Sequence, residues 1–142
     1  SSRSPDVLRE FEGNPKVQSE IFKSMIELTT GIHETAIGLH DDLSESLYHL
    51  AQSCGPLDLQ LAAAGTHPFA KFSDGEPFPS TRYAKIFESH QWIARRLLIF
   101  GLHVHVGMRG KEHSMKMMNG LLQHLPLLLA LSASSPFLKG EN

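Results

Sequence analysis

Residues 100–107 read Phe-Gly-Leu-His-Val-His-Val-Gly and alternate with a period of two. Side chains alternate across a β-strand. Phe100, Leu102, Val104 and Val106 would therefore line one face, and Gly101, His103, His105 and Gly107 the other. The pattern predicts a strand with an apolar back and a front that carries two imidazoles flanked by glycines. Such a front offers two nitrogen donors with space above them for a ligand. It is equally the pattern of two histidines on a solvated sheet face.

The rest of the chain is read around that strand. Ser4 and Pro5 suit the start of a helix over residues 4–12, which Gly13-Asn14-Pro15 ends. Residues 22–30 favour a strand through Ile26, Leu28 and two threonines. Ile32, Ala36, Leu39, Leu43, Leu47, Leu50 and Cys54 recur every three or four positions, which predicts a long helix with one apolar stripe. Cys54 lies on that stripe and reads as a core thiol. Residues 57–65 predict a second strand, and the glycines and prolines of 70–79 a loop. Ser80 can cap a helix to about Arg95, with Tyr83, Ile86, Phe87 and Ile93 on its buried side. Further helices are expected over residues 111–124 and 127–131. Alternating helices and strands alone would suggest a parallel α/β sheet.

Composition narrows the function. With 142 residues the chain is long enough for one domain with a core. Its formal net charge of -2 gives no field to attract nucleic acid or an anionic membrane. A single cysteine rules out an intrachain disulfide. No basic-then-apolar leader and no membrane-length apolar run stand out, so a cytoplasmic protein is the expectation. Nine histidines are an unusual number, although His40, His49 and His113 sit in polar, helix-like contexts.

Glu27 interrupts an apolar strand, where a carboxylate is costly unless it pairs with a base or holds a cation. A salt bridge to Lys or Arg across the sheet is the competing expectation. Glu20 lies seven positions earlier, and an odd spacing along one strand puts the two on opposite faces. Carboxylates with imidazoles suit Mg²⁺ or Mn²⁺ holding a nucleotide phosphate, and suit Zn²⁺ equally. Arg95 or Arg96 could reach a phosphate. Thr66 and His67 end the second strand, where either a site or a turn stabilised by the Thr hydroxyl is expected.

Three motifs carry a resemblance. They are Leu-Ala-Ala-Ala-Gly-Thr-His-Pro-Phe (61–69), Gln91-Trp92 followed by Arg-Arg-Leu-Leu-Ile-Phe-Gly-Leu-His-Val-His-Val-Gly (95–107), and Leu-Ala-Leu-Ser-Ala-Ser-Ser-Pro-Phe (129–137). Together they resemble the carboxylate–amine ligases of the glutamate–cysteine ligase type 2 family, within the glutamine synthetase superfamily. The resemblance implies an α+β fold: an antiparallel sheet backed by helices, part of a glutamine synthetase-like catalytic domain. This displaces the parallel-sheet expectation.

It further implies ATP-dependent formation of a γ-glutamyl amide through an acyl phosphate, with glutamate and cysteine or another amine as substrates. Mg²⁺ or Mn²⁺ would be the cation. By resemblance His103 binds a metal, His105 lies near the nucleotide phosphates, and Glu20 and Glu27 serve the metals. Thr66, His67 and Tyr83 would border the substrate pocket. The family's Gly-Val-Glu-x-Glu-Phe strand is missing, so the chain reads as a central fragment, inactive alone and prone to homo-oligomerise through exposed sheet edges. Two other readings remain at this stage: a metal-dependent hydrolase built on the His-x-His strand, and a non-catalytic assembly module.

Overall fold

A computed structural model describes residues 2–141. Among them are six α-helices and one two-stranded antiparallel sheet, an α+β composition. The helices are α1 (Ser4–Leu8), α2 (Ala36–Cys54), α3 (Thr81–His90), α4 (Trp92–Arg95), α5 (Lys111–Leu122) and α6 (Leu125–Ser132); the strands are β1 (Val17–Ser19) and β2 (Ile26–Leu28). The chain divides into two compact units, residues 1–63 with 71–98, and residues 64–70 with 99–142.

The first unit holds every buried apolar residue among those described. β1 and β2 pair Val17 with Leu28, Gln18 with Glu27 and Ser19 with Ile26. Paired residues share a face. Val17, Ile26 and Leu28 therefore point together into a cluster with Val7, Leu50 and Cys54. Residues 4–12 form a short α-helix followed by a 3-10 turn (Arg9–Phe11). Ser4 is the first helical residue and not its cap.

α2 begins at Ala36 because the Thr35 hydroxyl accepts from the Gly38 N–H, 3.1 Å away. This start leaves Ile32 outside the helix and fully exposed. The buried side of α2 is Ser46, Leu50 and Cys54, so only the C-terminal half of the expected stripe meets the core.

The loop over residues 71–79 folds back onto the sheet. Phe22 forms an antiparallel bridge with Pro77, and the Phe78 N–H donates to the Ile21 carbonyl at 2.9 Å. Phe22 is 1% exposed and meets Phe87 of α3 edge to face at 5.8 Å. Gly75 lies against the Phe22 ring, where a Cβ would come within 2.7 Å of it.

Ser80 caps α3 as expected, accepting from the Arg82 N–H. The helix does not continue to Arg95. Gln91, at φ 49° and ψ -122°, separates α3 from α4. The break turns Ile93 outward and buries Ala94 and Leu98 instead.

The strands expected over 57–65, nearly all of it in the first unit, and over 100–107, in the second, do not form. A strand exists only as part of a hydrogen-bonded ladder, and these backbones meet at one antiparallel bridge, Thr66 with Ile99. The Phe100 N–H adds one bond to the Gly65 carbonyl at 2.8 Å. Residues 101–107 are exposed throughout. The sheet is thus antiparallel as the resemblance implied, but far smaller than expected. No helix among the described residues is long and apolar enough to cross a membrane.

Candidate functional site

Two groups of predicted residues come together, one in each unit. In the first unit the face of the β-ribbon opposite the core carries Gln18 and Glu27. Glu20 is one residue beyond β1 and two beyond Gln18, so continued alternation places it on the same face, diagonal to Glu27. The odd spacing does not separate the carboxylates, because the chain reverses between them: Glu20 follows the end of β1 and Glu27 lies in the antiparallel β2.

Both glutamates are half-buried. The Glu20 carboxylate accepts only from its neighbour's N–H, that of Ile21 at 2.9 Å. Glu27 has no ion-pair or hydrogen-bond partner for its side chain among the described residues. The cross-sheet salt bridge weighed from the sequence is therefore not present among them. Two partly desolvated carboxylates, neither with an ion-pair partner among the described residues, make a site that gains by accepting a cation.

Tyr83 closes the group. Its hydroxyl donates to the Ser19 carbonyl at 2.8 Å, and the residue is 6% exposed. Burial raises the phenol's pKa most, the charges of Glu20 and Glu27 raise it further, and the bond to Ser19 and the charge of Arg82 oppose them. At neutral pH the phenol keeps its proton and its role as donor.

The second unit holds parts of the three family-like motifs, residues 64–69, 99–107 and 129–137, and ties them at Thr66. Thr66 bridges Ile99, and the Thr66 N–H donates to the Ser135 hydroxyl at 2.7 Å. Gly65 is required here, since a Cβ would lie 2.7 Å from the same hydroxyl. His67 Nδ1 accepts from the N–H groups of Phe69 (3.2 Å) and Ala70 (3.1 Å). That fixes the neutral tautomer with its proton on Nε2. The turn is thus held by His67 and not by the Thr66 hydroxyl, which is buried without a partner among the described residues.

His103 and His105 are exposed, and their ring centroids lie 6.2 Å apart. The side-by-side placement expected of a strand survives without the ladder. A Cβ on Gly101 would come 3.1 Å from His103 Nε2, so glycine is what lets that ring fold back.

Within each unit, among the described residues, no three His, Cys, Asp or Glu side chains are grouped closely enough to hold a metal alone. The Glu20 and Glu27 pair fits a hard divalent cation of the kind that takes one or two carboxylates and completes its shell with phosphate oxygens and water.

Sequence reasoning missed two features. Ser135 lies inside a quoted motif, yet nothing marked its hydroxyl as the anchor of Thr66. Asp42 sits on the polar side of α2, but its side chain is only 9% exposed. It accepts from Lys16 Nζ (2.6 Å), the Gly31 N–H (2.8 Å) and His33 Nε2 (2.8 Å). These bonds hold the carboxyl well below the usual carboxylate range, the Lys16 bond most of all.

Residues 4–142 match the model of glutamate-cysteine ligase family 2 (GCS2), and the chain belongs to that family. It is 44% identical over 131 residues to a protein of Thermobifida fusca named "Putative glutamate–cysteine ligase 2", covering 92% of this chain and 33% of the relative. Proteins of the same name from Bdellovibrio bacteriovorus and Mycobacterium tuberculosis are 43% and 39% identical, covering 98% and 100% of this chain. The matches cover 37% and 38% of those two relatives. The chain therefore spans little more than a third of the curated relatives it matches. No solved structure matches it.

Proposed function

We propose that the chain is part of an ATP-dependent carboxylate–amine ligase of glutamine synthetase-like architecture. The terminal phosphoryl group of ATP passes to the side-chain carboxylate of glutamate, giving an acyl phosphate and ADP. The amine of cysteine, or a similar amine, then attacks the acyl carbon. Phosphate leaves and a γ-glutamyl amide remains. Negative charge gathers on phosphate oxygens in the first step, and Mg²⁺ or Mn²⁺ supplies the countercharge there.

Glu20 and Glu27 are the cation ligands of the first unit, with Tyr83 beside them bordering the substrate pocket, its one hydroxyl proton given to the Ser19 carbonyl. In the second unit His103 is a metal ligand and His105 a phosphate contact. Thr66 and His67 face substrate, Thr66 with its unpartnered hydroxyl and His67 with the Nε2–H that its tautomer leaves free. Location in the cytoplasm and homo-oligomeric assembly complete the proposal.

The observation that carries this reading is Glu27: a half-buried carboxylate with no partner among the described residues, on the ribbon face toward which continued alternation turns Glu20. The test is a thermal melt of the chain with Mn²⁺ or Mg²⁺, with and without ATP. Divalent cation should raise the melting temperature, and Glu27→Gln should abolish that rise. The same variant should melt at or above the parent without metal, because an uncompensated charge is gone. A metal-dependent rise of undiminished size in Glu27→Gln would sink the assignment.

A further inference from the structure

Arg96 has a setting that the proposed reaction does not use. It directly follows α4, and its guanidinium lies 5.4 Å from the ring centre of Trp92, four residues back along that helix. A second ring, Phe72 of the loop over 71–79, lies 5.3 Å away. Among the described residues the guanidinium has no ion-pair or hydrogen-bond partner. Among the described residues its neighbour Arg95 stacks on neither ring. The arrangement depends on Gln91, whose backbone lies in a region that side-chain-bearing residues seldom adopt. The break there starts α4 afresh and sets where Trp92 and Arg96 point. Strain of this kind is found where geometry serves a ligand.

Two aromatic contacts hold the guanidinium and leave its N–H edge open. That edge is a planar fork that matches a carboxylate through two parallel hydrogen bonds. The rings also reduce hydration of the cation and supply an apolar rim for the carbon skeleton behind the carboxylate. We infer that Arg96, held by Trp92 and Phe72, is a binding site for the carboxylate of an amino-acid substrate. The choice of an amino acid rests on the ligase reading; the carboxylate preference rests on the geometry.

Trp92 is the single tryptophan of the chain, so its fluorescence reports on this site alone. The experiment titrates the metal-free chain with L-glutamate at constant ionic strength, with acetate and inorganic phosphate as separate probes. L-Glutamate should give a saturable change in emission. Arg96→Met should abolish it, and Arg96→Lys should weaken it about tenfold, because the charge stays while the fork is lost. Arg95→Gln should leave it unchanged. Arg96 is exposed, so the fold should survive these changes, and circular dichroism melts confirm that. An unaltered titration in Arg96→Met, equal losses in Arg95→Gln, no saturable response, or phosphate binding as tightly as L-glutamate would each overturn the site. Acetate saturating where L-glutamate does not would overturn the amino-acid assignment. The titration needs no metal, so failure at Glu27 and failure at Arg96 are read separately.

Discussion

Single residues decide how the elements are tied together. Asp42 fastens the connection before α2 by accepting from Lys16, Gly31 and His33. Its carboxyl is held well below its value in an unfolded chain, about 3.9. The stability it contributes is therefore complete above about pH 4 and is lost as the pH falls toward the folded value. The Lys16 amine is raised by the same bond, so its contribution persists through neutral pH and fades only in strong base. Asp42→Asn should lower the melting temperature at neutral pH by several degrees and flatten its fall between about pH 5 and about pH 2; melts across that range check this.

Thr66 makes the opposite case, a buried hydroxyl with no partner. Thr66→Val keeps the shape and removes the unsatisfied group. It should raise stability by up to about 1 kcal/mol in denaturant titrations and, on the proposed reading, weaken substrate binding in the full-length protein. Glu27 as the odd carboxylate, and Gly101 as the partner of His103, were legible in sequence. Asp42 was not, because nothing local announces a side chain that reaches 26 residues back to Lys16.

Elements follow local chemistry until a tertiary contact overrules it. The capped start of α3 was readable because Ser80 acts on an N–H two residues away, whereas the Thr35 cap of α2, which cuts Ile32 off the expected stripe, was not read. The long helix expected to reach Arg95 fails at Gln91, where no glycine or proline marks a break. The loop over 71–79 looked like a mere connection, yet it closes over Phe22. Gly75→Ala should cost about 1–3 kcal/mol through overpacking against that ring, read from chemical denaturation. The expected strands over 57–65 and 100–107 show why periodicity is an incomplete signal. Alternation states which faces a strand would have, but a ladder needs a partner along its full length.

At the scale of the whole chain, the two units differ in how they are held. The first has a packed interior, whereas the second is tied by backbone and hydroxyl bonds at the Thr66–Ser135 junction. α5 and α6 leave Leu122 61%, Leu129 74% and Leu131 74% exposed. Apolar surface on that scale drives association. The chain should run above its monomer mass in light scattering, and Leu129→Glu with Leu131→Glu should shift it toward the monomer; a monodisperse parent monomer at high concentration would count against this. The sequence by itself determined the family, the Ser80 cap, the core thiol and the residue types of the candidate site, because each is written in neighbouring or regularly spaced residues. Only the tertiary structure decided that Glu20 and Glu27 share a face, that Phe72 and Trp92 enclose Arg96, and that Ser135 anchors Thr66. These depend on strand register and chain reversal, which bring together residues that no local period connects.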